Sequence, residues 1–172
     1  MSLTRRRLLI AAGAVSVAAV AVAGGGAVVA NEWWDQPAEA PLAHLSAGEI
    51  AFLNALADSI FPPSPAFPVR GRDASVGVHV DEVLTGMEPF QRKLVRFSFH
   101  LLDQWPRMSL NAPFRDLGPE EGGVVLLEWL NHERAEIRGL IASVYIFVAM
   151  SYSMHPEVSP IFGAQFRCGY GA

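Results

Sequence analysis

The sequence predicts an all-α fold, a small irregular bundle of about five helices with proline-rich loops, preceded by an N-terminal apolar export or anchor helix. Apolar residues recur at three- and four-residue spacing in several stretches, and clusters of proline and glycine divide those stretches. No run keeps the every-second-residue alternation of a strand. The chain divides into a leader (1–30), a linker (31–44), a helical domain (45–154) and an extended C-terminal tail (155–172).

The leader contains Thr4-Arg5-Arg6-Arg7-Leu8-Leu9, and residues 8–30 run for 23 positions without a charged side chain. Basic residues, a moderately apolar Ala/Gly/Val stretch and small residues at Val28-Val29-Ala30 are the layout of an export signal. Thr-Arg-Arg-x-Leu-Leu resembles the twin-arginine motif, with Arg5 and Arg6 as its pair. That route carries proteins already folded, and it implies the twin-arginine translocase as a partner. A permanent anchor is the other reading, because about 20 apolar residues cross a bilayer. Gly24, Gly25 and Gly26 count against a stable spanning helix, each costing about 1 kcal/mol relative to alanine. Either way the arginines stay cytoplasmic and the body is delivered to the periplasm or outer face.

The first body helix starts at Ser46, with Glu49 three residues on as a capping box worth about 1 kcal/mol through the serine. Ile50, Leu53, Leu56, Ala57 and Ile60 form its apolar stripe, and Pro62 and Pro63 stop it. Residues 62–74, with four prolines and Gly71, are a loop, and a short helix runs from 76 to about 87. Pro89 opens the next helix, on which Phe90, Leu94, Phe97, Leu101 and Trp105 share a face. Residues 111–118 form a second loop, after which Pro119, Glu120 and Glu121 favour a helix start. Gly122 and Gly123 weaken its first turn. After a break near Asn131, a final helix extends from 137 to about 152. Its residues 139–150 are apolar almost all round, which suits the centre of a bundle or a surface against another protein, and those 12 are too few to span a bilayer.

Composition narrows the function. The chain is 51% hydrophobic and 17% charged, with a mean hydropathy of +0.27. The 142 residues after the leader form one domain able to bury a core without disulfides. All 17 acidic residues lie there against ten basic ones, a net −7, so the body has no basic face for nucleic acid.

Candidates for chemistry are sparse. His44, His79, His100, His132 and His155 are scattered, and only Glu128 and His132 share a helix face at metal-like spacing, more simply a solvated polar pair. The Glu-x-x-His motif of di-metal bundles is absent, as are a Gly-x-Ser-x-Gly elbow and a phosphate-binding glycine loop in the body. No catalytic, cofactor or metal residue is therefore assigned. An enzyme or ligand-binding reading would need polar residues such as Asp58, Asp81, His100 and His132 to converge in a pocket.

Cys168 is the only cysteine, and an unpaired cysteine in an exported chain is a candidate for an intermolecular disulfide. Trp33, Trp34, Phe61, Phe67, Tyr145, Phe147, Phe166 and Tyr170 put large apolar groups on the linker, the proline loop, the last helix and the tail, and are candidate interface residues.

After the twin-arginine leader, the segment Leu45-Ser-Ala-Gly-Glu-Ile-Ala-Phe-Leu-Asn-Ala-Leu-Ala-Asp-Ser-Ile-Phe-Pro-Pro63, a loop, and Val80-Asp81-Glu82-Val83-Leu84 follow in order. This order resembles the gluconate 2-dehydrogenase subunit 3 family, over most of residues 1–152. The resemblance implies a small non-catalytic subunit that accompanies a large FAD-dependent dehydrogenase of the glucose-methanol-choline type, often with a multihaem cytochrome c. It further implies that this chain supplies the export signal while FAD resides in the partner. The family has no catalytic set to carry over.

Overall fold

The computed structural model describes residues 36–62, 64–65 and 68–161. The described chain is mostly helical and has no strands. Its helices are α1 (Ala47–Ile60), α2 (Val76–Thr85), α3 (Pro89–Gln104), α4 (Arg107–Leu110), α5 (Pro119–Leu130) and α6 (Ala135–Ser153), with 3₁₀ turns at Gly71–Ala74 and Phe114–Asp116. The N-terminal apolar segment lies outside the described residues.

The start of α1 follows from its sequence. Ser46 is in extended conformation, its hydroxyl accepts the Glu49 N–H, and the Glu49 carboxylate accepts the Ser46 N–H. The hydrophobic stripe expected on this helix understates its burial. Phe52, Leu53, Leu56 and Ala57 are buried, and so are Glu49 and Asp58 on other sides. Helix α1 packs against α2, α3, α5, α6 and both 3₁₀ turns, so it is the central element.

An aromatic chain holds one flank of α1. Phe52 meets Phe99 of α3 with ring centroids 6.2 Å apart and Phe114 edge-on at 5.7 Å. Phe114 stacks on Trp129 of α5 at 5.4 Å, and Trp105 meets Trp129 at 6.3 Å. Such tilted and edge-on pairs add to the burial of apolar area. On the other flank Phe61, just past α1, stacks on Tyr152 of α6 at 3.8 Å and 7°. The Tyr152 hydroxyl, buried here, donates to the Val69 carbonyl at 2.7 Å, which ties the proline loop to α6.

Two helices differ from expectation. On α3 the buried face centres on Phe97, Phe99, Leu102, His100 and Asp103, while Phe90 is 65% exposed, because the polar residues find partners inside. Helix α6 begins at Ala135 and has 19 residues, so by length and composition alone it could cross a membrane. Its Ile137, Leu140, Ile141, Val144, Val148 and Tyr152 are nonetheless buried against the protein, which leaves one side uncovered. The tail does not start extended: Val158 is buried, its N–H bonds the His155 carbonyl, and residues 159–161 are helical.

Glycine permits two close crossings. A Cβ on Gly71 would stand 2.1 Å from the Ala57 carbonyl carbon, so the 3₁₀ turn lies directly on the backbone of α1. A Cβ on Gly122 would stand 2.2 Å from Ser59 Oγ, where α5 crosses α1. Gly139, within α6, faces open space. We expect Gly71→Ala to lose about 1–3 kcal/mol of stability through overpacking, and Gly139→Ala to gain up to about 1 kcal/mol. Denaturant titration checks both signs.

Candidate functional site

The polar groups of the interior come first, because a pocket enzyme would build its site from them. Among the described residues four carboxylates are buried: Glu49 and Asp58 on α1, Asp81 on α2 and Asp103 on α3. Burying a carboxylate is costly unless it is hydrogen-bonded and paired. All four accept hydrogen bonds, Glu49, Asp58 and Asp103 also face an arginine, and each set of partners includes a loop or a helix end.

Glu49 is 1% exposed. Its Oε1 accepts Arg96 Nε at 2.9 Å and lies 3.2 Å from His100 Nε2, while Oε2 accepts the Ser46 N–H at 2.7 Å and an Arg96 terminal nitrogen at 3.0 Å. The same Arg96 nitrogen donates to the Gln36 carbonyl at 2.8 Å. Burial alone would raise the Glu49 carboxyl, but His100, Arg96 and the Ser46 N–H hold it below its ordinary value of 4.5. Helices α1 and α3 and the linker thus share one ion cluster.

Asp81 accepts three consecutive backbone N–H groups, from Ala43 at 2.9 Å, His44 at 2.8 Å and Leu45 at 2.9 Å. Asp58 accepts the Arg72 backbone N–H at 2.9 Å and its guanidinium, with Arg70 3.8 Å away. Asp103 accepts the Arg115 backbone N–H at 3.0 Å, the Arg115 guanidinium in a fork, and Gln104. Asp58 therefore pins the Gly71–Ala74 turn, and Asp103 pins the Phe114–Asp116 turn.

The chemistry open to these groups is limited. A general base works best with a pKa near the operating pH, and Glu49 is shifted the other way. The residues a pocket would require have separate partners: Asp58 has Arg70 and Arg72, Asp81 the linker, and His100 Glu49. His132 accepts the Arg134 N–H at 3.1 Å and stands edge-on to Trp105 at 6.4 Å. Among the described residues no group of three or more His, Cys, Asp or Glu is placed to hold a metal ion.

The second candidate site is apolar. Along α6, Gly139, Ser143, Ile146 and Met150 are exposed at positions that fall on one line of a helix, with Ile146 at 54%, Met150 at 62% and Met154 just beyond at 58%. The adjoining helix α5 exposes Val124 at 66% and Leu127 at 62%. Contiguous exposed apolar groups mark interaction surfaces.

The aromatics expected at an interface separate. Phe61 is corrected: at 5% exposure and stacked on Tyr152, it belongs to the protein's own core. Tyr145 is half-buried against that core and Phe147 is half-buried on α6. Arg5, Arg6, Trp33, Trp34, Phe67, Phe166, Cys168 and Tyr170 lie outside the described residues. Arg96, Arg115, Ile146 and Met150 carried no individual signal in the sequence; Ile146 and Met150 were hidden in the all-round apolar stretch 139–150.

In comparisons with known proteins, no family model, no curated protein and no solved structure matches the chain.

The Glu49 cluster gives stability a defined acid limb. A carboxyl lowered in the folded state contributes stability that is present above about its ordinary value and lost as pH falls through the folded value. Tyr152, raised by burial against the opposing bond to Val69, sets an alkaline limb: stability is present below 10.0 and lost as pH rises through the higher folded value. We expect Glu49→Gln to cost about 3–5 kcal/mol, since it leaves Arg96 inside without its anion, and to flatten the acid limb. Tyr152→Phe should flatten the alkaline one. Urea unfolding at stepped pH measures both.

Proposed function

We propose that this protein is the small, non-catalytic subunit of a periplasmic FAD-dependent sugar or alcohol dehydrogenase complex of the glucose-methanol-choline type. In this reading it supplies the twin-arginine export signal and a helical body that docks on the catalytic subunit and steadies it. FAD resides in the partner, and a multihaem cytochrome c often accompanies such a pair. Residues 8–30 serve as signal, or as anchor to the inner membrane.

The observation that carries the reading is the uncovered apolar side of α6, on a body whose buried acids are all engaged in holding loops. A helix this apolar on both sides is suited to a second packing partner. The resemblance of the leader and of Leu45 through Pro63 to the subunit 3 family supplies the partner's identity. A signal for folded cargo on a body without a cofactor motif fits an escort for a flavoprotein that has no signal of its own.

Two experiments test this. The full chain, tagged and purified from its native host, should bring down a large subunit with bound flavin absorbance, and Ile146→Glu with Met150→Glu should abolish that recovery while circular dichroism stays unchanged. The same complex should show a covalent band on non-reducing electrophoresis that disappears in Cys168→Ser. A flavin-free, monodisperse monomer with substrate turnover of its own would overturn the proposal. Separately, Arg5→Lys with Arg6→Lys should leave both this chain and the flavoprotein in the cytoplasm, as read by fractionation; normal export of either would contradict the escort role.

A further inference from the structure

Along the uncovered line of α6 the small residues stand at one end and the large ones at the other. Gly139 and Ser143 occupy the N-terminal half, Ile146 the middle, and Met150 and Met154 the C-terminal end, all of them exposed. Among the described residues nothing lies within 4 Å of where a Cβ on Gly139 would stand, so the body itself does not require a glycine there. Inside a helix that glycine costs about 1 kcal/mol against alanine. What it offers is room for another chain to come close. The two hydroxyls on the line are already satisfied: Ser143 donates to the Gly139 carbonyl at 2.8 Å and Ser153 to the Met150 carbonyl at 2.7 Å. Covering the line therefore orphans neither hydroxyl.

We propose that a second copy of this chain docks on this line, antiparallel and two-fold symmetric about a point near Ile146. At the helical rise, that symmetry sets Met150 of each copy beside Ser143 of the other, and Met154 beside Gly139. Large groups then meet small ones at both ends. A parallel pairing would set methionine on methionine and leave a gap at the glycines. Charge favours the same choice. Parallel helices would bring Arg138 to Arg138 and Glu157 to Glu157, with their dipoles aligned. The antiparallel pair brings Glu157 to an end that holds Arg134 and Arg138 beside Glu133 and Glu136, with the dipoles opposed. A helix of 19 residues offers a strip about 28 Å long and about 10 Å wide, well below the roughly 800 Å² per partner of a stable interface. The dimer is accordingly weak and exchangeable. It covers the apolar line until a larger partner displaces the second copy, and it does not rest on that partner's identity.

The test is the oligomeric state of the full chain, purified without other proteins and followed by sedimentation velocity in detergent over a roughly 100-fold range of concentration. A dimer should form with a dissociation constant of roughly micromolar or weaker. Gly139→Leu fills the groove, and Ile146→Glu sets two carboxylates face to face at the symmetry point. Each should weaken the dimer at least about tenfold while circular dichroism stays unchanged. A chain that is monomeric throughout, or a dimer that either variant leaves unchanged, would overturn the proposal. Should a variant not fold, cross-linking decides. In a Cys168→Ser background, Ile146→Cys should link to itself through a short bismaleimide, whereas Gly139→Cys, roughly 20 Å from its symmetry mate, should not. Any other pattern would overturn the antiparallel pairing. Recovery of the flavoprotein is a separate measurement, so this inference and the proposed function can fail independently.

Discussion

The buried pairing of Glu49 with Arg96, with His100 beside it, is the interaction on which the rest of the body depends. It sits at the first turn of the central helix, where the Ser46 cap would otherwise secure only local structure. Arg96 converts that local cap into a tertiary joint by bringing α3 and the Gln36 carbonyl to the same carboxylate. A buried ion pair of this kind is weak evidence for stability, because desolvation offsets much of the attraction. In this placement of α3 along α1 both carboxylate oxygens have donors, from Arg96 and from the Ser46 N–H.

The same device recurs at Asp58, Asp81 and Asp103, with a division of labour between polar and apolar groups. Aromatic and aliphatic side chains hold the helices together, and the acids hold what lies between them. Three of the anchored segments start or end near proline, where a missing N–H and a fixed φ limit regular backbone pairing. Carboxylates that accept backbone N–H groups fill that gap. Among the described residues, exposed apolar side chains stand on α6 and α5 at Ile146, Met150, Val124 and Leu127, and also at Phe90 of α3 and Met108 of α4.

The local punctuation was legible in the sequence, and the long-range electrostatics were not. Ser46 and Glu49 announced the start of α1, Pro62 and Pro63 its end, and Pro119 with two glutamates the start of α5, since each acts within one helical turn. Glu49 was read as a capping residue, which it is, but its second role depends on Arg96 across 47 residues, and no spacing rule reaches that far. Periodicity alone also misjudged depth. The stretch 139–150 has no charge and yet leaves one side exposed, whereas α1 takes the centre with two acidic residues that are paired. The regular stripe sets Phe90 on one face with Phe97, although α3 buries its side at Phe99 and Asp103 and leaves Phe90 exposed.

The contact between Phe61 and Tyr152 has a consequence for the order of events during synthesis. It joins the end of the first body helix to the last turn of the final one, and the hydroxyl bond from Tyr152 to Val69 spans 83 residues. Loop closure of that length comes late in folding. A chain emerging from the ribosome N-terminus first exposes α1 long before α6 exists to complete the core. The chain must therefore be synthesised through α6 before the body can be native. Until then the apolar side chains of α1 that α6 will cover stay open to solvent.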